Sequence, residues 1–544
     1  MNQVAHIFAK DTRKHWPEIA ILLAATTTWV WMTPYSWEWT MTNLPAEGAR
    51  AALVGRLLLA GLSALLVSLM WWILTSRVVQ GETLVGDTQW WVTKPYEWQC
   101  LVAAKALFLA AFVGAPMLAA DWILLAEANL RPQAHLAGLA LRILLLACFV
   151  VLPLAALAAV TSTFARMTLT AIGTALVLGV NAAVLGGVER NTFPSRLGLV
   201  GVPVVLGVMA GAVGFQYARR RTWQSRGWLL AALALTVGGG YLAFSPALVA
   251  LEFPQGGVSP IQIGLEEQPT IAMRTEANRV SLTVPLTIAG VQRGSGAQMD
   301  AVRVTMETAQ GRTWRSGWEA QYGERYMSVH VTTSETTSSG ARPEVGPPPV
   351  SRVAPARGEI YLGPTNGMVD LGIDRAFYDM ARAEPVTLHL EFAVTELKAG
   401  NPVVVPMQNS DFAVPGLGEC SPLWNAVTSR EFGVRCRSAL RQPELTFVQT
   451  AWTDGPCQAN GVGGDLSGSA WMGDLSDVPA EFGLSPVSDI PAVLSNVSAP
   501  VGPGQPPVPR QLCPGTPITF TEYRVAGRTR VETTLRNITL PEWK

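Results

Sequence analysis

The chain has 544 residues, of which 49% are hydrophobic and only 15% are charged, and its formal net charge is zero. The length exceeds what one domain usually holds, and the charged fraction lies below the roughly 25% of soluble proteins. A net charge of zero gives no argument for a nucleic-acid-binding protein, although the local distribution of charge still matters. These figures average two unlike halves, because apolar runs fill residues 1–250 and then give way to Pro, Gly, Ser and Thr.

The first 16 residues combine three cations with apolar side chains at helical spacing, Val4, Ile7 and Phe8. This pattern predicts a short amphipathic helix at a membrane surface. The alternative is a secretory signal peptide, which needs a small-residue cleavage site and a soluble protein after it. Further apolar runs follow instead, so we expect a cytoplasmic surface helix.

Seven apolar runs are long enough to cross a hydrocarbon core of about 30 Å, which takes about 20 helical residues. They cover residues 17–36, 51–75, 101–126, 135–161, 167–187, 197–216 and 227–249. The first is the least apolar, because Thr26, Thr27 and Thr28 lie in its middle. The sequence therefore predicts about seven transmembrane helices.

Lys and Arg concentrate in the N-terminus and in every second gap between the runs, with the triplet Arg219–Arg221 after the sixth run. The other gaps hold only Arg50, Arg131, Arg190 and Arg196. The positive-inside rule then places the N-terminus in the cytoplasm. With seven spans, everything after residue 250 lies outside, so we expect a multi-pass plasma-membrane protein with an extracytoplasmic C-terminal domain.

The stretch between the second and third runs, residues 81–105, reads GETLVGDTQWWVTKPYEWQCLVAAK. It is polar and aromatic, and the charge bias places it in the cytoplasm. The simplest interpretation is a connecting loop, in which Lys94–Pro95 marks a helix boundary because residues before proline avoid the helical region.

The spacing of Glu82, Gly86, Pro95 and Lys105 resembles the signature loop of type-2 ABC transporter permeases. The resemblance covers roughly residues 1–250. In that family the loop forms a short helix that docks on the ATPase subunit, and the lysine opens the next membrane helix. Two departures are Asp87, where threonine is common, and Trp90–Trp91 in place of aliphatic residues. The resemblance implies an ATPase-coupling loop formed by Glu82, Gly86, Asp87, Trp91, Lys94, Pro95 and Lys105.

A permease of this family is the membrane subunit of a transporter, forms the translocation path and is not itself an enzyme. The chain contains no GxxxxGK[ST] motif, so the resemblance implies a separate cytoplasmic ATPase and a second permease subunit, identical or different. It implies no bound cofactor or metal. Most such permeases have six spans, so a seventh span and a large C-terminal domain depart from the pattern.

Two other function classes compete with the permease. One is a membrane-anchored binding or sensor protein whose C-terminal domain holds the ligand. The other is a membrane-bound hydrolase, which the sequence disfavours because it has neither GxSxG nor HExxH.

Arg56, Asp121 and Arg142 are ionisable residues inside the runs, where charges are functional candidates by default. Arg56 and Arg142 lie one to two turns from the outer ends of their helices, so their side chains are expected to reach the interface. Asp121 lies at a depth that Arg142 on the next run reaches. We expect a structural ion pair between them, with a substrate contact as the alternative.

Residues 251–544 show the alternation of a β-domain. Apolar side chains recur at every second position in residues 280–288, 302–306, 327–331 and 386–394. This period predicts strands with one buried face. One short helix is expected at Arg375–Ala383, and Pro-rich loops at 334–349 and 495–509. The fold expected is a β-sandwich or two small β-domains.

Four cysteines lie in the C-terminal region, namely Cys420, Cys436, Cys457 and Cys513. None forms a CxxC pair and no histidine lies near them, so a zinc site is not expected. An oxidising compartment and two disulfides account for them better, although four cysteines allow three pairings.

Overall fold

A computed structural model describes most of the chain. The residues outside the description are 1–2, 42–46, 82–96, 189–194, 196–200, 256–261, 266–268, 272–278, 291–294, 321–329, 333–358, 363–367, 407–410, 416–417, 425–431, 440–444, 455–465, 473–486, 495–514, 516 and 542–544. In the described part, helices occupy the chain up to Glu252 and strands predominate from Gln262 onward. The expected helical region followed by a β-rich region is therefore present.

The helical region contains eleven α-helices in the described residues. They are α1 (Gln3–Lys14), α2 (Trp16–Met41), α3 (Glu47–Gln80), α4 (Trp98–Leu109), α5 (Ala115–Glu127), α6 (Leu136–Leu146), α7 (Leu152–Val160), α8 (Phe164–Val188), α9 (Gly201–Arg219), α10 (Thr222–Ala243) and α11 (Pro246–Glu252). A π-helical turn, Ala110–Gly114, joins α4 to α5, and a second, Ala147–Val151, joins α6 to α7.

Within the described residues, five helical stretches are long and apolar enough to cross a membrane. They are Val54–Gln80, Trp98–Glu127, Pro132–Val160, Phe164–Val184 and Gly201–Arg219. A sixth is reached if α10 and α11, which meet at a bend of 71°, are counted together. These are the features of an integral multi-pass membrane protein. The seven spans predicted from the sequence are not confirmed, because α2 is helical but is not among these stretches.

Helix α2 nevertheless packs along α3. Its threonine hydroxyls are satisfied within the helix, since Thr26 and Thr27 donate hydrogen bonds of 2.8 Å to the carbonyls four residues earlier. The two helices are antiparallel: Glu18 pairs with Arg77 at one end, and Tyr35 lies against Arg56 at the other. The threonines lower the apolarity of α2 without preventing it from joining the bundle.

One end of the bundle is covered by α1 and is called the α1 end below. Ile7 is fully buried there, in a cluster with Val79 of α3, Leu101 of α4, Met167 of α8 and Tyr217 of α9. The surface helix predicted for residues 1–16 therefore packs across the helix ends as well as exposing a polar face.

The opposite end adjoins the strands and is called the β end. Asn129, in a left-handed conformation (φ 57°) after α5, donates a hydrogen bond of 3.0 Å to Glu419 in the β-region. The backbone N–H of Ser195, between α8 and α9, donates to the carbonyl of Ala243 at the end of α10. The β-region and α1 thus lie at opposite ends of the helices.

Eighteen strands and one helix form the described β-region. They are β1 (Gln262–Leu265), β2 (Thr270–Ile271), β3 (Arg279–Ala289), β4 (Ser295–Thr308), β5 (Thr313–Arg315), β6 (Glu319–Ala320), β7 (His330–Thr332), β8 (Glu359–Leu362), β9 (Met368–Asp374), α12 (Arg375–Ala381), β10 (Val386–Ala399), β11 (Val403–Pro406), β12 (Phe412–Val414), β13 (Gly418–Trp424), β14 (Phe432–Ala439), β15 (Leu445–Asp454), β16 (Leu466–Met472), β17 (Val487–Leu494) and β18 (Pro517–Ile538). The predicted helix at Arg375–Ala383 is confirmed as α12, which begins with Asp374 accepting a hydrogen bond from the Phe377 N–H.

The strands form two sheets that share one core. The small sheet has the order β1-β3-β2 with β9 beside β3, and the large sheet contains the remaining fourteen strands, with β4, β10 and β18 adjacent. Alternate residues of β3 and β9, such as Leu282 and Leu371, are buried against Val304 and Phe392 of the large sheet. The alternation read from the sequence therefore marks the inner faces of a β-sandwich.

Candidate functional site

Six of the seven residues assigned to the coupling loop lie outside the described residues. The seventh, Lys105, lies on α4 at the α1 end and is only 4% exposed. Its Nζ atom lies 2.7 Å from Oδ2 of Asp11, which is equally buried on α1. Lys105 is therefore held inside this chain, where it ties the beginning of the third apolar run to α1.

A second buried ion pair lies within the spans, between α5 and α6. Nε of Arg142 lies 2.8 Å from Oδ2 of Asp121, and both side chains are buried. This is the ion pair expected from their depths in adjacent runs. An unpaired charge in hydrocarbon is costly, so the presence of each charge in the spans is explained by its pairing with the other. Arg142 thus points inward to Asp121 and not to the interface.

The same two spans share a feature that the sequence analysis did not use. The π-helical turns Ala110–Gly114 and Ala147–Val151 are each followed two residues later by a proline, in the matching segments AAFVGAP and ACFVVLP. Proline lacks an N–H and clashes with the preceding turn of an α-helix, and a π-turn relieves both problems. Pro116 and Pro153 within apolar runs were the available signal.

The π-turns bring irregular backbone close to the ion pair. Asp121 follows Pro116 by five residues, and Arg142 precedes Ala147 by five. Single π-turns occur frequently at functional sites because they redirect side chains and bend helices. The two spans therefore combine a buried charge pair with a point at which each helix changes its hydrogen-bonding pattern.

Arg56, the third intramembrane candidate, has a different environment. Its side chain is exposed, and its guanidinium carbon lies 4.5 Å from the centre of the Tyr35 ring. A cation over an aromatic face at an exposed site contributes about 0.5–1 kcal/mol. The geometry matches a side chain that reaches the interface beside an aromatic partner.

The helices and the β-region meet in an apolar joint. Val249 and Phe253, at the end of α11, are buried with Ala301 of β4, Ala393 of β10 and Trp318. The large sheet thus buries part of its outer face against α11, while its inner face packs on the small sheet.

Polar contacts surround this joint. Glu252, whose side chain is only 2% exposed, lies 3.2 Å from Arg528 of β18 and accepts a hydrogen bond of 2.9 Å from Ser195. The carbonyl of Pro254 accepts a bond of 3.1 Å from the backbone N–H of Arg530. Glu252 consequently connects the α8–α9 segment, α11 and the large sheet through one buried carboxylate.

Buried ionisable groups also occur inside the β-region. Burial raises the pKa of Glu319, although the N–H of Gly372, which donates a 3.0 Å hydrogen bond, and the charge of Arg279 oppose that rise. Burial likewise raises the pKa of Tyr523 to about 12. Among the described residues, no group of three or more His, Cys, Asp or Glu side chains is arranged to hold a metal ion.

Two of the predicted disulfide cysteines face each other in the backbone register. Cys420 of β13 pairs directly with Cys436 of β14 in an antiparallel ladder. Directly opposed residues in such ladders have Cα atoms about 4.5–5.5 Å apart, within the range that a disulfide requires. Cys457 and Cys513 lie outside the described residues. Cys100 and Cys148, by contrast, are free and half-buried in the helical region.

Comparison with known proteins does not assign the chain to a family. No family model matches it, and no curated protein has a significantly similar sequence.

Proposed function

We propose that the chain is the membrane subunit of an ABC transporter, which couples to a separate cytoplasmic ATPase through residues 81–105. The observation that carries the proposal is the spacing of Glu82, Gly86 and Pro95, between α3 and α4, relative to Lys105 on α4. Those two helices meet at the α1 end, where Gln80 at the end of α3 bonds to Thr161 and Lys105 bonds to Asp11. The described residues on both sides of the proposed docking loop thus lie at the end opposite the β-region.

The path of the chain supports the proposed topology. From the α1 end, the successive helical segments reach the β end and return, and α10 finally delivers the chain to the β-region. If α2 crosses the membrane together with the six stretches described above, the number of crossings is odd. The Lys and Arg distribution then favours a cytoplasmic α1 end and an extracytoplasmic β-region. An oxidising exterior also favours disulfides, with Cys420–Cys436 as one pair.

Association with an ATPase is the direct test. A tagged form of the chain is expressed in its own host cells, and its complex with the proposed ATPase is purified in mild detergent. We expect the ATPase and a second permease subunit to co-purify. Purification of the chain without any ATPase under these conditions contradicts the proposal.

The loop is tested by Glu82→Ala and Pro95→Ala in the assembled complex. Pro95 fixes its own φ and restricts Lys94, so its removal changes the angle at which the loop reaches α4. We expect both variants to insert normally and to lose transport-coupled ATP turnover. The matched control is Glu127→Ala, at the far end of the span that follows the loop, and ATP turnover should not change in this variant. If all three variants turn over ATP like the parent, the loop is only a connector.

A membrane-anchored binding or sensor protein is the second candidate. The joint favours it, because Phe253 and Glu252 fix the β-region directly to the end of α11, which follows α10. A signal from a ligand on the β-region then has a rigid route to the helices. A complex that lacks an ATPase but binds an extracytoplasmic ligand supports this candidate over the transporter.

A further inference from the structure

Helix α1 has two chemically distinct faces. The buried face contains Ile7, Asp11 and, just after the helix, His15. The exposed face contains Lys10, Arg13 and Lys14. Since Asp11 is the only acid of α1 and points into the bundle toward Lys105, the exposed face carries positive charge alone.

The surrounding surface at the α1 end has the same sign. Its exposed cations include Lys10, Arg13, Lys14, Arg77, Arg166, Arg219, Arg221 and Arg226. Of the described acids there, Asp11 pairs with Lys105 and Glu18 lies 2.5 Å from Arg77, which leaves Glu97 exposed. Ion pairs within the chain thus take up two of the three described acids at this end.

Exposed tryptophans place this surface at the depth of lipid headgroups. Each of the helices α2, α4 and α10 has a tryptophan in its first turn. These are Trp16, Trp98 and Trp223, whose exposed fractions are 64%, 42% and 84%. Trp is enriched at membrane interfaces, where its ring is apolar and its N–H is hydrated. On α10, Tyr241 lies 18 residues after Trp223. At 1.5 Å per residue this is about 27 Å, close to the thickness of the hydrocarbon core.

We propose that the exposed face of α1, together with Arg219 and Arg221, binds the phosphate headgroups of anionic phospholipids. The cations supply charge complementary to phosphate, and the tryptophans fix them at headgroup level. The proposal does not require the transporter function, because binding is measurable without ATP or a partner.

The test uses the full chain, purified in a neutral detergent, and follows its melting midpoint as phosphatidylglycerol is added. We expect a saturable rise with phosphatidylglycerol and none with phosphatidylcholine. Each cation near the surface contributes about fivefold to binding, so Arg13→Gln/Lys14→Gln should raise the half-saturating lipid concentration roughly 25-fold. The control Arg312→Gln/Lys398→Gln removes two exposed cations from the β-region and should leave the response unchanged.

Two further comparisons decide the source of the anion and the location of the site. Inorganic phosphate at the same concentration should give no rise, and an equal rise with it overturns the lipid assignment in favour of a soluble anion. Both double variants should melt like the parent in phosphatidylcholine, which shows that they fold. If Arg13→Gln/Lys14→Gln responds to phosphatidylglycerol like the parent, the site is not on α1 and the proposal is wrong.

Discussion

The helical region and the β-region distribute their apolar side chains differently, as suits two different surroundings. Among the described residues, nearly all exposed large hydrophobic side chains belong to the helices, as with Leu62 (61%) and Leu176 (63%). The described β-region contributes only three of these exposed side chains, Met380 (40%), Val404 (59%) and Val525 (40%). The strands place their apolar residues in one shared core, whereas the helices direct many of theirs outward. The difference is the one expected between a domain in lipid and a domain in water.

The two regions also differ in the treatment of charge. In the spans, Asp121 and Arg142 are fully enclosed and depend on each other. On the large sheet, Glu391 pairs with Arg303, Arg315 and Arg530 at a partly exposed surface. Water screens the second network but does not reach the first, so removal of one partner should matter far more in the helices.

The largest effect is expected for Arg142→Leu. It leaves the Asp121 carboxylate buried without its cation, and breaking a buried pair in this way costs about 3–5 kcal/mol of unfolding free energy. Arg56→Leu, on the exposed side chain over Tyr35, should cost no more than about 1 kcal/mol. Melting of both variants in detergent measures the difference.

A double variant shows whether the loss comes from the stranded charge. Asp121→Leu/Arg142→Leu removes both charges and should recover most of the stability, because an apolar pair suits the site. Equal melting of Arg142→Leu and Arg56→Leu would contradict the buried pair.

The joint should respond next most strongly. Phe253→Ala removes a fully buried ring between α11 and the large sheet, which costs about 3–5 kcal/mol at sites that do not collapse. Leu251→Ala, two residues away but 70% exposed, is the matched control and should be nearly neutral. Limited proteolysis should separate the β-region from the helices faster in Phe253→Ala alone. Equal cleavage of both variants would mean that the joint does not hold the regions together.

Thiol chemistry should separate the regions in intact cells. We expect Cys420 and Cys436 to react with a membrane-impermeant reagent only after reduction, because their register suits a disulfide in an external β-region. Cys420→Ser/Cys436→Ser should lose about 2–4 kcal/mol, while Cys148→Ser in a span should lose little. Free thiols at positions 420 and 436 in fresh cells would exclude the disulfide. Protection of the β-region from external protease would exclude the topology.

The smallest effect is expected for Glu319→Gln. Burial raises the pKa of Glu319 above its ordinary value of 4.5, so its ionised form is disfavoured in the folded state. Stability from this group is therefore present below pH 4.5 and is lost as the pH rises through the folded pKa. Glu319→Gln should raise the melting midpoint at pH 8, and the gain should shrink toward pH 4.5. Arg279→Gln, which removes the opposing charge, should change the midpoint at pH 8 in the opposite direction.

Most of the structure that the sequence predicts comes from patterns of apolar residues that repeat every few positions. The alternation of Leu282 and Val284 predicts strands because side chains on a strand point alternately to opposite faces. The joint was not predictable in this way. Phe253 and Trp318 are 65 positions apart, and no local pattern indicates that they touch. Ala301 and Ala393 lie on the outer face of the large sheet, and their burial there depends on the position of α11.

The candidate site likewise has features that the sequence predicts and features that it does not. Asp121 and Arg142 were identified as a pair because a charge in an apolar run needs a partner at similar depth. The loop motif was also visible in the sequence, but the burial of Lys105 against Asp11 was not, since the two residues are 94 positions apart. Nor were the π-turns identified, although Pro116 and Pro153 mark them.

By itself the sequence determined that the chain is helical and apolar to about residue 250 and β-structured afterward. It also determined which strand faces are buried and which intramembrane charges need partners. These properties follow from hydropathy and from periods of 2 and 3.6 residues, which act over a few neighbours. The tertiary structure was needed to show that α1 covers one end of the bundle, that Glu252 joins helices to sheet and that α2 packs along α3. Those arrangements depend on contacts between residues far apart in the chain, which no local period specifies.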